Sequence, residues 1–599
     1  MMRVNLFCAA CVLLFFGLAT AWGAGEGDGL KSLEPKVFLP DGREFKTWRP
    51  ALTFSRTLYV NGSAANASDD NPGTKGRPFK TINRAARVAV AGQRVLVASG
   101  VYREWVRPRR GGESPAKMIS YQAAPGAKVV IKGSRVVTDK WQARGAKGVW
   151  KLALQARWFK HDYNPFALPN VTPKQFDMMS WAQRWRGKKP YTLPRGLVFQ
   201  DARRLVQVNT LDDLAKRPGT YQVDVKGQIL HVHPFDNKDP NTAVMEITTQ
   251  RCVFAPERTG LGYIHVAGFI IEHAGNPFPF PQYGALSTWR GHHWLIERNT
   301  VRAVNSVGID IGDQYWALDQ PKVRAGWHIV RNNTITDCGV CGIQGLACRD
   351  GLIENNLLVG NAIYNVEGYY ETAAIKTHGN ANTLIRGNRI FDTLHGGGIW
   401  MDFANVNSRC SRNIIVNSST MHGGIFIEAS LKPNMIDRNF IWLVRGAGIY
   451  EHDSRAQIIC HNFIGKSTGP AIRLRGKVTN RKVGGEKIVS GNHTVTNNIL
   501  FNSRIPIETR DKHADLSNNV SEGIAAEFDR KTMTLTWSAG GKRPRCRAVK
   551  NITRDFFAKP LDPKTISPGP FGAIPQSQTA LKLYSAPAGS VDQKKGDAR

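Results

Sequence analysis

Past its first 21 residues this chain has no apolar run long enough to cross a bilayer, which sets aside a membrane-spanning protein. The run that does exist, Leu6 to Leu18, follows the positive Met1–Arg3 start and precedes Ala19-Thr20-Ala21. That layout is a secretory signal peptide over residues 1–21, so export to the periplasm or medium is expected. Cysteine is scarce. Of nine in the chain, Cys8 and Cys11 fall in the leader. Cys338, Cys341 and Cys348 cluster, but no second CxxC or paired His completes a four-ligand zinc site. They read as buried structural thiols or one local disulfide, and the odd count of the mature chain leaves a thiol over. Acid is scarce too: 47 Asp and Glu face 81 Lys and Arg, a formal charge of +34. Such a surface attracts polyanions. No nucleic-acid motif is present, so an acidic or sulfated glycan is the expected partner, with plain solubility as the alternative use of the charge. A Leu-rich consensus is also missing, which excludes the leucine-rich solenoid.

What the chain does have is a repeat. A small residue followed by Ile recurs at Gly308-Ile309, Gly342-Ile343, Ala374-Ile375, Gly398-Ile399, Gly424-Ile425, Gly448-Ile449 and Ala471-Ile472. From Ile375 onward the steps are 24, 26, 24 and 23 residues, the signature of stacked coils. Read as strands with alternating faces, they bury Ile399 and Met401, Ile425 and Ile427, Ile472 and Leu474. Glu451 breaks the inward pattern. The outward faces form two columns: Lys376, Trp400, Phe426, Tyr450, Arg473, and His378, Asp402, Glu428, His452, Arg475. A second repeat of Asn (299, 333, 356, 388, 413, 439, 462, 498, 519) predicts a turn in each coil and a ladder of side-chain bonds. The fold class is all-β, a parallel β-helix.

The chain divides as follows. Residues 22–55 are a lead-in linker. Residues 56–137 hold a cap, with a helical pattern through Ala85, Ala86 and Val90, and the first coils. From 138 to 248 the repeat gives way to alternating strands with Gly and Asp turns, read as an inserted β-sandwich. Residues 249–574 carry the main β-helix and its C-terminal cap, and 575–599 a disordered tail.

The cap and first coils resemble the pectate-lyase-like superfamily, which implies a right-handed β-helix. The early interruption with Tyr163-Asn164-Pro165-Phe166, Glu371-x2-Ala374-Ile375-Lys376 and Gly398-Ile399-Trp400-Met401-Asp402 resemble glycoside hydrolase family 120, known for β-xylosidases, over about residues 58–475. The resemblance implies Asp402 as nucleophile and Glu428 as acid/base, with Glu371, His378 and Trp400 binding sugar.

The residues support that chemistry by themselves. Asp402 and Glu428 share one outward position on successive coils, so their backbones should lie about 4.8 Å apart. Retaining glycosidases hold two carboxyl groups at about 5–5.5 Å. Two acids this close do not both ionise cheaply, so one should keep a proton. Lys376, His452 and Arg473 complete the expected substrate contacts, and no cofactor or metal is expected. A chance pair or a Ca²⁺ site shared by the carboxylates is the alternative. A polysaccharide lyase would instead take its base from Lys376, Arg473 or Arg475, and a glycan-binding β-helix would need no catalytic group.

Overall fold

The computed structural model describes residues 29–145, 148–160, 163–177, 179, 191–278, 281–313, 325–366, 372–419, 422–476, 480–483, 485–541 and 546–585. Three long parallel sheets wind through them. The first runs from Arg56–Val60 through Ile264–Ala267 to Thr494–Thr496, the second from Gly100–Tyr102 to Ile499–Phe501, the third from Gly284–Ser287 to Ile507–Thr509. From residue 284 on, each coil contributes one strand to each sheet, so the chain is a parallel β-helix. All seven small-residue–Ile segments lie in the third sheet. Their isoleucines stack in register, Ile309↔Ile343↔Ile375↔Ile399↔Ile425↔Ile449↔Ile472. Every one is fully buried in the interior.

The small residue before each Ile has a steric cause. A Cβ on Gly398 would stand 2.6 Å from the Gly424 carbonyl oxygen, and one on Gly424 would stand 2.8 Å from that of Gly448. Coils stack too closely there for a side chain. The Asn ladder forms as well: Asn388 Nδ2 donates to Asn413 Oδ1 (3.0 Å), Asn413 to Asn439 (2.9 Å) and Asn439 to Asn462 (3.0 Å). The left-handed residue is not the ladder Asn but the one before it, as at Arg298, Arg412, Arg438 and His461. The corner therefore divides two tasks between neighbours. One residue turns the chain, and the next caps the coil below.

Between the early coils and the main helix lie two further sheets. One orders Val206–Gln207, Thr220–Val223, Ile229–His233, Trp150–Ala153 and Gln142–Ala143. The other orders Arg203–Arg204, Val198–Gln200, Met245–Thr248 and Ser134–Val136. Trp141, Leu152, Val198, Leu230 and Ile247 pack between them. Lys132 of the second sheet of the helix bonds Glu246 (2.9 Å) and pairs with Glu272 (3.1 Å), tying the insertion to the coil where it departs.

Two expectations need correction. The stretch 22–55 is not a linker where it is described. Val37, Leu39, Phe45 and Trp48 pack on Leu295, Ile329, Leu352 and Leu384 of the first sheet, and Trp48 Nε1 donates to Trp327 O at 2.6 Å. The outer face of that sheet carries an apolar column, and burying it outweighs freedom of the strap. The supposed tail from 575 likewise begins with structure. Thr579–Lys582 pairs with Thr534–Ala539, whose Leu535 and Trp537 join Phe440 and Phe463 on the second sheet. Residues 586–599 and the leader lie outside the described residues. The cysteines at 252, 338, 348, 410, 460 and 546 are free thiols, and all but Cys546 are buried, as is Cys341.

Candidate active site on the third sheet

Register on the third sheet decides which outward side chains meet. The pairing Lys376↔Trp400↔Phe426↔Tyr450↔Arg473 makes one column. In the other, His378 pairs with Asp402 and Glu428 with His452. Because Met401 pairs with Ile427, the next step of that ladder sets Asp402 beside Glu428.

Asp402 is almost fully buried and held from three sides. Lys376 Nζ lies 2.9 Å from Oδ2, His378 Nδ1 lies 3.0 Å from the same oxygen, and the Phe403 backbone N–H donates to Oδ1 at 2.7 Å. Burial pushes its carboxyl up, but the Lys376 and His378 charges outweigh it and hold Asp402 far below the usual carboxylate range. These partners favour the ionised form of Asp402. Glu428 is opposite in character. Burial and the Asp402 charge push it up, and Arg481, whose Nη1 lies 2.5 Å from Oε1, offsets only part of that. The two acids are thus driven apart, which is how one site supplies a nucleophile and a proton donor together.

The surroundings refine several expectations. Lys376 is fully buried and tied to Asp402, so it is a charge partner of that acid rather than a sugar contact. Trp400 is nine-tenths covered: Lys376 Nζ sits 4.8 Å from its ring centroid and the His422 ring stacks at 5.5 Å. Phe426 and Tyr450 continue the stack at 5.1 and 4.8 Å. Such a ladder stiffens the floor of the groove. His378 and His452 remain partly open, beside Asp402 and Glu428 respectively. Burial, opposed by Asp453, drives His452 down to about 4, so it is neutral near pH 7. Arg473 stands at the rim, 3.1 Å from Glu508, and Arg475 donates to the Tyr450 hydroxyl at 2.9 Å. Glu371 lies outside the described residues.

Sequence reasoning passed over Arg481, Asp453 and His422. Arg481 reaches back from a segment outside the repeat to bridge Glu428 and Asp453 (3.1 Å), and nothing in its local sequence signals this. Asp453 directly follows His452, at a left-handed corner just past the strand and so outside the alternating column. Glu451, the odd inward acid, also finds its account. It accepts the Ser454 backbone N–H at 2.6 Å and the Ser490 hydroxyl at 3.2 Å, and burial raises it to about 8. A neutral, hydrogen-bonded Glu is tolerable in the interior where an ionised one would not be.

Residues 284–464 match the family described as right handed beta helix region, and residues 65–108 match a protein of unknown function family, DUF1565. The structure of XylC in complex with xylose superposes with a TM-score of 0.70 at 23% identity, covering 88% of this chain and 100% of that one. The fold is a right-handed parallel β-helix. The GH136 lacto-N-biosidase from Eubacterium ramulus shares 12% identity at a TM-score of 0.41, over 78% of this chain and 67% of that one. Among curated proteins, the uncharacterized protein YwoF of Bacillus subtilis (strain 168) is 34% identical over 85 residues. That match spans 14% of this chain and 17% of the relative's length.

Proposed function

We propose that this right-handed β-helix protein is an exported glycoside hydrolase that cleaves with retention of configuration. The observation that carries the reading is the divergent pair: an Asp402 held as an anion by Lys376 and His378 beside a Glu428 whose burial and neighbouring acid favour its proton. Adjacent strands bring the two backbones about 4.8 Å apart, in keeping with the short separation of retaining enzymes. Asp402 attacks the anomeric carbon as Glu428 gives its proton to the leaving oxygen. Glu428 then takes a proton from water, whose oxygen displaces Asp402 and frees the sugar. His378, His452 and Arg473 line the opening for substrate, and Trp400 supports the floor. The resemblance to family 120, together with a likeness to a protein solved with xylose, favours a β-xylosidase-like substrate of plant or algal type. The leader at residues 1–21 favours a periplasmic or secreted place of action.

The lyase reading needs a base free to take a proton beside a uronate. Lys376 is committed to Asp402, Arg473 to Glu508 and Arg475 to Tyr450, so the hydrolase reading stands ahead. A panel of aryl glycosides, with the anomeric proton of the first product followed by NMR, tests the proposal. Release of the retained anomer supports it; an inverted product, or an unsaturated ultraviolet-absorbing one, overturns it. Carbohydrate binding without turnover by any of the panel would instead mean a glycan-binding β-helix.

A further inference from the structure

The first sheet carries a second concentration of charge, far from any role in the site above. Its outward register runs Glu354↔Arg386↔Ser411↔Asp437. Arg409, Arg412 and Arg438 crowd around the same positions. A cavity of about 20 Å³ opens over them, closed on one side by the N-terminal strap at Pro35–Val37 and on the other by Asn551, Thr553, Arg554 and Ala558. That volume exceeds the roughly 10–15 Å³ one water requires. Six cations line it, Lys36, Arg386, Arg409, Arg412, Arg438 and Arg554, and no carboxylate among the described residues.

The two nearby acids are already taken. Asp437 receives Arg409 Nε (2.7 Å) and Nη2 (2.9 Å), Arg438 Nε (2.6 Å) and the Ser411 hydroxyl (3.1 Å). Glu354 receives Arg386 Nε and Nη2 at 2.9 and 2.7 Å. Arg386 Nη1, on a side chain nine-tenths buried, is left without a hydrogen-bond acceptor. Arg412 makes no side-chain hydrogen bond or ion pair among the described residues, although it stands one coil below Arg438 at the same left-handed corner. Like charges stacked across adjacent strands destabilise a sheet. Burial and the charges of Arg438, Arg386 and Arg409 accordingly pull Arg412 down to about 10. A guanidinium at that value is still protonated near neutral pH, so the repulsion is not relieved by losing a proton. It calls for an anion.

We propose that a small inorganic oxyanion, sulfate or phosphate, binds in this cavity between Arg386, Arg412 and the strap at Lys36. Planar guanidinium forks match the paired oxygens of a tetrahedral oxyanion, which selects it over a spherical halide. Seated there, it joins three pieces remote in sequence: the strap, the coils at 386–438 and the segment at 551–558. The site is independent of the hydrolase reading and lies on a different sheet.

Isothermal titration of sodium sulfate and of sodium phosphate into the full chain, at ionic strength held constant with chloride, tests it. Binding heat is the suitable readout, because sulfate stabilises most folded proteins by exclusion from their surfaces. One saturable ion per chain is expected, with affinity lowered about tenfold or more in Arg412→Gln, as loss of a charge-assisted hydrogen bond implies. Lys36→Gln, at an exposed strap position, should weaken binding less, and Lys531→Gln, remote and exposed, should leave it unchanged. Absence of saturable heat, equal affinity in Arg412→Gln and Lys36→Gln as in the parent chain, or chloride displacing the oxyanion at comparable concentration would each overturn the proposal.

Discussion

The third and first sheets show one repeat resolving two opposite surpluses of charge. On the third, Asp402, Glu428 and Asp453 share Lys376, His378 and Arg481. On the first, Arg386, Arg409 and Arg438 share Glu354 and Asp437, with Arg412 crowded beside them. A crowded carboxylate can accept a proton and become neutral. A guanidinium keeps its charge at any ordinary pH. Crowded acids therefore produce a proton donor, which is chemistry, whereas crowded arginines produce a demand for an anion, which is binding. The stacking that brings like residues together is the same on both faces. Only the titration range of the side chain differs.

The sharpest way to separate the faces is to remove one anion from each. Asp402→Ala should lower kcat by about 10³-fold or more, as loss of a nucleophile does elsewhere. Asp437→Ala should leave kcat within about twofold, since its partners serve packing. If both variants lose turnover alike in an aryl-glycoside assay, the third sheet has no special claim to the chemistry.

Removing a cation from each face ranks the buried pairs by stability. Lys376→Met leaves Asp402 with His378 alone among its charged partners here, and breaking a buried pair costs about 3–5 kcal/mol. Arg409→Met should cost less, because Arg438 and Ser411 still hold Asp437. Denaturant midpoints give the order. Asp402 sits below its ordinary pKa when folded, so its contribution is present above the unfolded value and lost as pH falls toward the folded one. Lys376→Met raises the folded value toward the unfolded one, so this acid loss should be smaller and end at higher pH in that variant and not in Arg409→Met.

Glu428 has the reverse sign. Its folded pKa is raised above 4.5, so its contribution is complete below that value and lost as pH rises through the folded one. In catalysis the same step should set the alkaline limb of the rate profile, where the proton donor is spent. Arg481→Gln removes the cation that opposes the rise, so the limb should move to higher pH by about one unit. Glu428→Gln should flatten the fall of stability above pH 4.5. An alkaline limb unmoved in Arg481→Gln would assign the titration to another group.

How far these faces could be read in advance depended on whether the contact follows the repeat. Ile375, Ile399 and Ile425, the Asn ladder and the Asp402–Glu428 neighbourhood all follow from a period near 24 residues plus alternation, because stacking turns equal phase into contact. Lys376 was placed on the right face, but its burial was not legible: whether an outward residue is covered depends on the loops above it. Arg481 reaches Glu428 from outside the repeat, across 53 residues. The strap at Val37–Trp48 was misread because polar and glycine-rich composition hides a few anchoring side chains whose partners belong to the first sheet. The arginine cavity escaped notice for the same reason. Its walls come from residues 35–37, 384–438 and 551–558, which no single period relates.

The smallest expected effect concerns the ladder that holds both faces in phase. Asn413 is an interior rung: its Nδ2 donates to Asn439 Oδ1 at 2.9 Å, and its Oδ1 accepts from Asn388. Asn413→Ala strands buried donors and acceptors above and below, a cost of about 1–3 kcal/mol. Asn519 is the last rung found, partly open to solvent, accepting from Asn498 Nδ2 at 2.9 Å. Water can replace what Asn519→Ala removes, so that change should cost about 1 kcal/mol or less. A repeat solenoid is stabilised chiefly between neighbouring coils, so the interior rung should also loosen the coils beside it. Hydrogen exchange near Ile399 and Ile425 should quicken in Asn413→Ala and stay unchanged in Asn519→Ala. Equal costs at both positions would mean that the ladder contributes through the turn alone, and that the register joining Asp402 to Glu428 rests on the isoleucine stack.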